Sequence, residues 1–181
     1  MRECPLHIIK VFSEIYKMLV DRVCTAMVRA AALVSGDGVE LQAILDSMYF
    51  KEIPDFELVI LAGYDRPLGV IPYQFKNRII GTYNALYPAF EDEEGDIQRA
   101  VIERGVKITG ATAYFADSDG RVGNIILQKA IEVRPDDTPD TLRSRVLEEG
   151  VWKILSEAVT LYCERRLSIR GSRVVIGKAG K

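Results

Sequence analysis

Seven apolar residues, mostly small or branched, fill Met27 to Val34 with only Arg29 breaking the run, which ends on Ser35-Gly36-Asp37-Gly38. Beyond that turn, Leu41, Ile44, Leu45 and Met48 recur at steps of three and four. A continuous apolar run suits a strand covered on both faces, and the following steps stack side chains along one face of a helix. Strand, glycine turn and helix in that order form the first unit of an α/β fold.

The rest of the chain continues the pattern. Glu57 to Ala62 reads as a second buried strand and Arg78 to Ile80 as the start of a third. Glu93 to Glu103 reads as a helix whose acidic start suits the helix dipole. Ile108 to Ala116 and Ile125 to Val133 read as partner strands around a turn-rich Asp117–Gly123 connection. Thr138-Pro139-Asp140 combines a cap, a proline at the first helical position and an acid, so it predicts a helix start. That helical region is expected to run to about Arg165, with a break near Gly150, before a short strand from Ser168 to Ile176. The expected organisation is an amphipathic helix over residues 1–28 and one α/β domain over 29–181.

The leading helix places Leu6, Ile9, Phe12, Ile15, Leu19 and Val23 on one face, with charges interrupting every turn. It therefore lacks the apolar run of about 18 residues that a membrane span needs, and the clean block of a signal peptide. It reads as a helix docked on the domain or on a second subunit, which makes a homo-oligomer, such as a dimer, the expected assembly. The 181 residues carry 24 basic and 26 acidic side chains, so charge gives no reason to expect nucleic acid. Three widely spaced cysteines and one histidine, His7, offer neither a disulfide framework nor a metal-ligand spacing. No metal and a reducing cytoplasmic setting are expected.

The glycine turn admits two readings. Backbone N–H groups at a helix start favour phosphate. Asp37 and Glu40, three apart, have instead the spacing of a capping box that would supply its own negative charge. Both readings stand on spacing alone.

Several segments together resemble the phosphoribosylglycinamide formyltransferases. They are Leu33 to Ile44 around Gly36-Asp37-Gly38, Leu61 to Leu68, Gly105 to Thr112, Gly123 to Gln128 and Asp136-Asp137-Thr138. The resemblance covers residues 30 to 176. It implies a Rossmann-like formyltransferase fold: a mainly parallel sheet flanked by helices, here shortened between the first helix and Leu61. It implies 10-formyltetrahydrofolate as co-substrate and glycinamide ribonucleotide of purine synthesis as acceptor. It further implies a substrate-phosphate loop at Gly36, Asp37, Gly38, Val39 and Glu40, and a folate-side loop carrying Tyr64, Arg66 and Leu68.

The same resemblance exposes departures. The family's catalytic asparagine, histidine and aspartate fall on Gly81, Tyr83 and Arg121, and a further histidine falls on Tyr114. Formyl transfer needs donors aimed at a developing oxyanion, each worth ~10²–10³ in rate. It also needs a proton acceptor near neutral pH, worth ~10²–10⁴. Glycine supplies no side chain, and guanidinium accepts no proton. The expectation is a degenerate family member with no catalytic residues, retaining a pocket for a folate or small nucleotide-like ligand. Two alternatives remain open: an active formyltransferase in which Arg121 lowers the Tyr83 pKa or carries the oxyanion's charge, and a non-enzymatic interaction module.

Overall fold

A computed structural model describes residues 30–34, 57–62, 68, 73, 75–93 and 95–178. The expected helix over 1–28, the phosphate loop Gly36, Asp37, Gly38, Val39 and Glu40, and Tyr64 and Arg66 of the folate-side loop lie outside these residues.

Among the described residues, β1 (Ala30–Val34), β2 (Leu58–Ala62), β3 (Ile79–Tyr83), β4 (Ile108–Ala116) and β5 (Val122–Glu132) form one sheet in sequence order. β1, β2 and β3 pair in parallel, which suits the unbroken apolar runs of β1 and β2, whereas β3–β4 and β4–β5 are antiparallel. The α/β expectation holds, with a mixed sheet in which the parallel strands are the first three.

α1 (Ile97–Glu103) starts later than its acidic run suggests. Asp96 is extended and its side chain accepts from the N–H groups of Gln98 and Arg99, so the cap residue sets the start. α2 (Pro139–Arg145) begins where Thr138 predicts, with a reciprocal Thr138–Thr141 capping box. The expected break at Gly150 is instead a π-helical turn, Val146–Val151, leading without interruption into α3 (Trp152–Cys163). A Cβ on Gly150 would stand 3.0 Å from the Ala111 Cβ, so glycine lets this widened turn lie directly on β4.

The described helices pack on one face of the sheet. Leu58, Ile60, Ile80, Ala113 and Phe115 meet Leu142, Val146, Ile154, Leu155 and Val159 in one core. Each fully buried large aliphatic side chain there contributes roughly 1.5–3 kcal/mol. The C-terminal segment expected as one strand is a hairpin, β6 (Leu167–Arg170) and β7 (Arg173–Ile176). Gly171 turns it at φ +61°, a conformation that favours glycine. No helix among the described residues is long and apolar enough to cross a membrane.

Candidate functional site

β3 carries two of the positions singled out by sequence, Gly81 and Tyr83, two residues apart and therefore on one face of the sheet. Their antiparallel partners on β4 are Tyr114 and Thr112 respectively. Ile80, Ala113 and Phe115 face the helices, so Gly81, Tyr83, Thr112 and Tyr114 share the opposite face.

Tyr114 occupies the space in front of Gly81. A Cβ built on Gly81 would lie 2.7 Å from Tyr114 Cζ, 2.8 Å from its hydroxyl oxygen and 3.0 Å from Cε2. The β4–β5 register shifts on either side of Tyr114, and such an irregularity re-aims the side chain it carries. Tyr114 is 8% exposed, and burial, then the Asp117 carboxylate, push its phenol pKa up.

Tyr83 is committed elsewhere. Its hydroxyl donates to the carbonyl of Phe90 at 2.6 Å, with the Ala89 carbonyl at 3.1 Å, and its ring meets Tyr87 edge-on. Burial, then the negative charge of Glu91 with smaller contributions from Tyr87, Glu93 and Asp92, push its pKa up to about 12. Arg121 is not among the groups acting on it, and the shift is opposite to the one that would make Tyr83 a proton shuttle. Arg121 sits at the β4–β5 turn with an exposed side chain; its backbone N–H donates to Asp117 Oδ1 at 2.8 Å. The structure thus brings Gly81 and Tyr83 together and leaves Arg121 on the turn.

Leu68, the described member of the folate-side loop, is buried and packs against that turn. Its Cδ1 lies 3.1 Å from where a Cβ on Gly120 would stand. It reads here as an anchor of the turn that carries Arg121.

Three residues to which sequence reading assigned no role build the segment after β3. Thr112, fully buried, donates to the Ala85 carbonyl at 2.8 Å and accepts from the Tyr87 N–H at 3.0 Å. Gln128 Nε2 donates to Thr112 Oγ1 and to the Tyr87 carbonyl, and buried Gln98 donates to the Asn84 carbonyl at 2.7 Å. A polar residue inside an apolar strand, as Thr112 is, was the signal in the sequence. No group of three or more His, Cys, Asp or Glu among the described residues is placed to hold a metal ion.

Residues 51–159 match the family model described as formyl transferase. The chain is 38% identical over 108 residues to phosphoribosylglycinamide formyltransferase of Bacillus subtilis, covering 58% of this chain and 52% of that one. It is 36% identical over 121 residues to the chloroplastic phosphoribosylglycinamide formyltransferase of Arabidopsis thaliana, covering 63% of this chain and 40% of that one. The chain therefore spans about half or less of the length of these curated relatives. The crystal structure of glycinamide ribonucleotide transformylase 1 from Symbiobacterium toebii superposes with a TM-score of 0.68 at 32% identity, over 84% of this chain and 95% of that one.

Proposed function

Because this chain belongs to the formyl transferase family, we propose that it is a phosphoribosylglycinamide formyltransferase-like protein of purine biosynthesis that has lost the transfer step. It retains the frame that would receive 10-formyltetrahydrofolate and glycinamide ribonucleotide. The reading is carried by one observation: Tyr83 spends its hydroxyl on the Phe90 carbonyl while Tyr114 fills the space before Gly81. Neither position then presents a group that accepts a proton from an attacking amine near neutral pH.

Formyl transfer from the folate N10 to an amine forms a C–N bond at the formyl carbon, breaks the folate C–N bond and moves one proton from amine to folate. A phenol with a pKa of about 12 does not accept that proton, and neither does a guanidinium. The remaining chemistry is binding. As part of the same reading, the segment 1–28 serves as the contact between two copies of the chain, and the protein works in the cytoplasm.

Two measurements test this. Purified protein incubated with 10-formyltetrahydrofolate and glycinamide ribonucleotide is expected to yield no formylated product above the uncatalysed rate. The same folate is expected to raise the melting temperature, because a ligand that binds only the folded state stabilises it. Turnover abolished by Tyr83→Phe would overturn the loss of chemistry. A melting temperature unmoved by any folate would favour an interaction module without a small ligand.

A further inference from the structure

We infer that Tyr114 takes the place of a side chain at position 81 and is the specificity-determining donor of this face, offering one phenol O–H to a neutral carbonyl on the bound ligand. The carbonyl-bearing folate as ligand rests on the reading above; the interlock of Gly81 with Tyr114 rests on geometry alone.

A side chain at position 81 would have to displace the far end of the Tyr114 ring. Real Cβ atoms essentially never approach another heavy atom within 3.0 Å, and a Cβ at 81 would lie 2.7 Å from Cζ and 2.8 Å from the hydroxyl oxygen. The two residues are register partners across β3 and β4, so the backbones stay in place and the clash falls on the Tyr114 ring. The tyrosine hydroxyl consequently stands where a side chain from β3 would otherwise begin.

That hydroxyl is the unspent group. Tyr83 and Tyr87 both donate, to Phe90 and Glu91, whereas no described residue takes the Tyr114 hydroxyl, and that oxygen is not one of the buried unmatched polar atoms, which are Thr109 Oγ1 and Arg145 Nε. A ligand acceptor on this hydroxyl takes the place of water, and no bond within the protein has to break for it. Its raised pKa keeps the proton on, and the group donates at every physiological pH. Charge selects the acceptor. Asp117 acts on Tyr114, and Glu91, Asp117 and Asp92 act on neighbouring Tyr87, so the local field is negative and disfavours a carboxylate or phosphate. A formyl or amide carbonyl accepts without that penalty.

The test pairs stability with binding. Gly81→Ala is expected to lower the melting temperature by several degrees in the wild-type background and to be tolerated when combined with Tyr114→Val. A neutral Gly81→Ala in the wild-type background would overturn the interlock. Tyr114→Phe keeps the ring and is expected to leave the melting temperature unchanged. By calorimetry it should weaken 10-formyltetrahydrofolate about fivefold, the worth of one hydrogen bond, without changing the affinity for tetrahydrofolate. Equal binding of both compounds by Tyr114→Phe and wild type would overturn the donor role. So would a lowered melting temperature in Tyr114→Phe, since the hydroxyl would then have its partner within the protein. A wild-type protein that binds neither compound overturns the folate reading and the donor role together, leaving the interlock to the melting temperatures.

Discussion

The Tyr83 hydroxyl donates to the Phe90 carbonyl at 2.6 Å, which closes the segment after β3 back onto the strand. This contact makes Tyr83 a structural clasp. It also explains why the phenol holds its proton: burial and the acidic Glu91–Glu93 run both disfavour tyrosinate.

The Tyr83 phenol is expected to ionise near pH 12 rather than 10, as read from the tyrosinate ultraviolet absorbance of wild type minus Tyr83→Phe. Because the folded pKa is raised, the associated stability is fully present below pH 10 and fades as pH rises toward 12. Tyr83→Phe should lose about 0.5–1.5 kcal/mol at neutral pH by urea unfolding, and should lack that alkaline component. Ionisation of Tyr83 at neutral pH would contradict the clasp.

Thr112→Val preserves shape but strips the hydroxyl from a fully buried position that serves the Ala85 carbonyl, the Tyr87 N–H and Gln128. The partners left behind set the size of the loss, about 1–3 kcal/mol in urea unfolding. Thr112→Ser keeps the hydroxyl and should recover most of it. Equal losses for the two variants would show that packing, not hydrogen bonding, makes Thr112 important.

Asp96 both caps α1 and pairs with Arg143 at 2.5 Å. The pair is substantially exposed, and exposed pairs contribute little, whereas removing an N-cap costs about 1 kcal/mol. Asp96→Ala should therefore destabilise by about that amount, while Asp96→Asn, which keeps the cap and removes the charge, should cost only a few tenths of a kcal/mol. A large loss for Asp96→Asn, relieved by high salt, would reverse the ranking.

Burial, followed by the charges of Glu57 and Glu164, pushes the Cys163 thiol up to about 11. Since the thiolate is the reactive form, alkylation of Cys163 at pH 8 should be much slower in the native protein than in the urea-unfolded chain. Peptide mapping by mass spectrometry separates it from Cys4 and Cys24. Equal rates in the two states would mean that the thiol is not held protonated by the fold.

Much of the architecture was legible because it is written in local chemistry. Leu58 to Ala62 is a strand because nothing in it tolerates water. Thr138-Pro139 starts a helix because a capping hydroxyl and a fixed φ act within one turn. Alternation from Ser168 to Ile176 predicts one strand and masks the turn at Gly171 that makes the segment a hairpin. Gly150 marks an irregularity in the helical region, but its form, a π-helical turn over Val146–Val151, answers to the close packing of Gly150 on Ala111.

By itself the sequence determined the succession of elements, their caps and the order of the family motifs, because these depend on periodicity and on residues a few positions apart. Only the tertiary structure decided what Gly81, Tyr83 and Tyr114 do. Gly81 and Tyr114 are separated by more than thirty residues, and the antiparallel register of β3 with β4 makes them partners. The hydroxyl of Tyr83 likewise finds its carbonyl only once Thr112, Gln128 and Gln98 have folded the intervening segment back. Hydrogen bonding and steric exclusion act at contact distance, and the folded chain alone sets which residues are in contact.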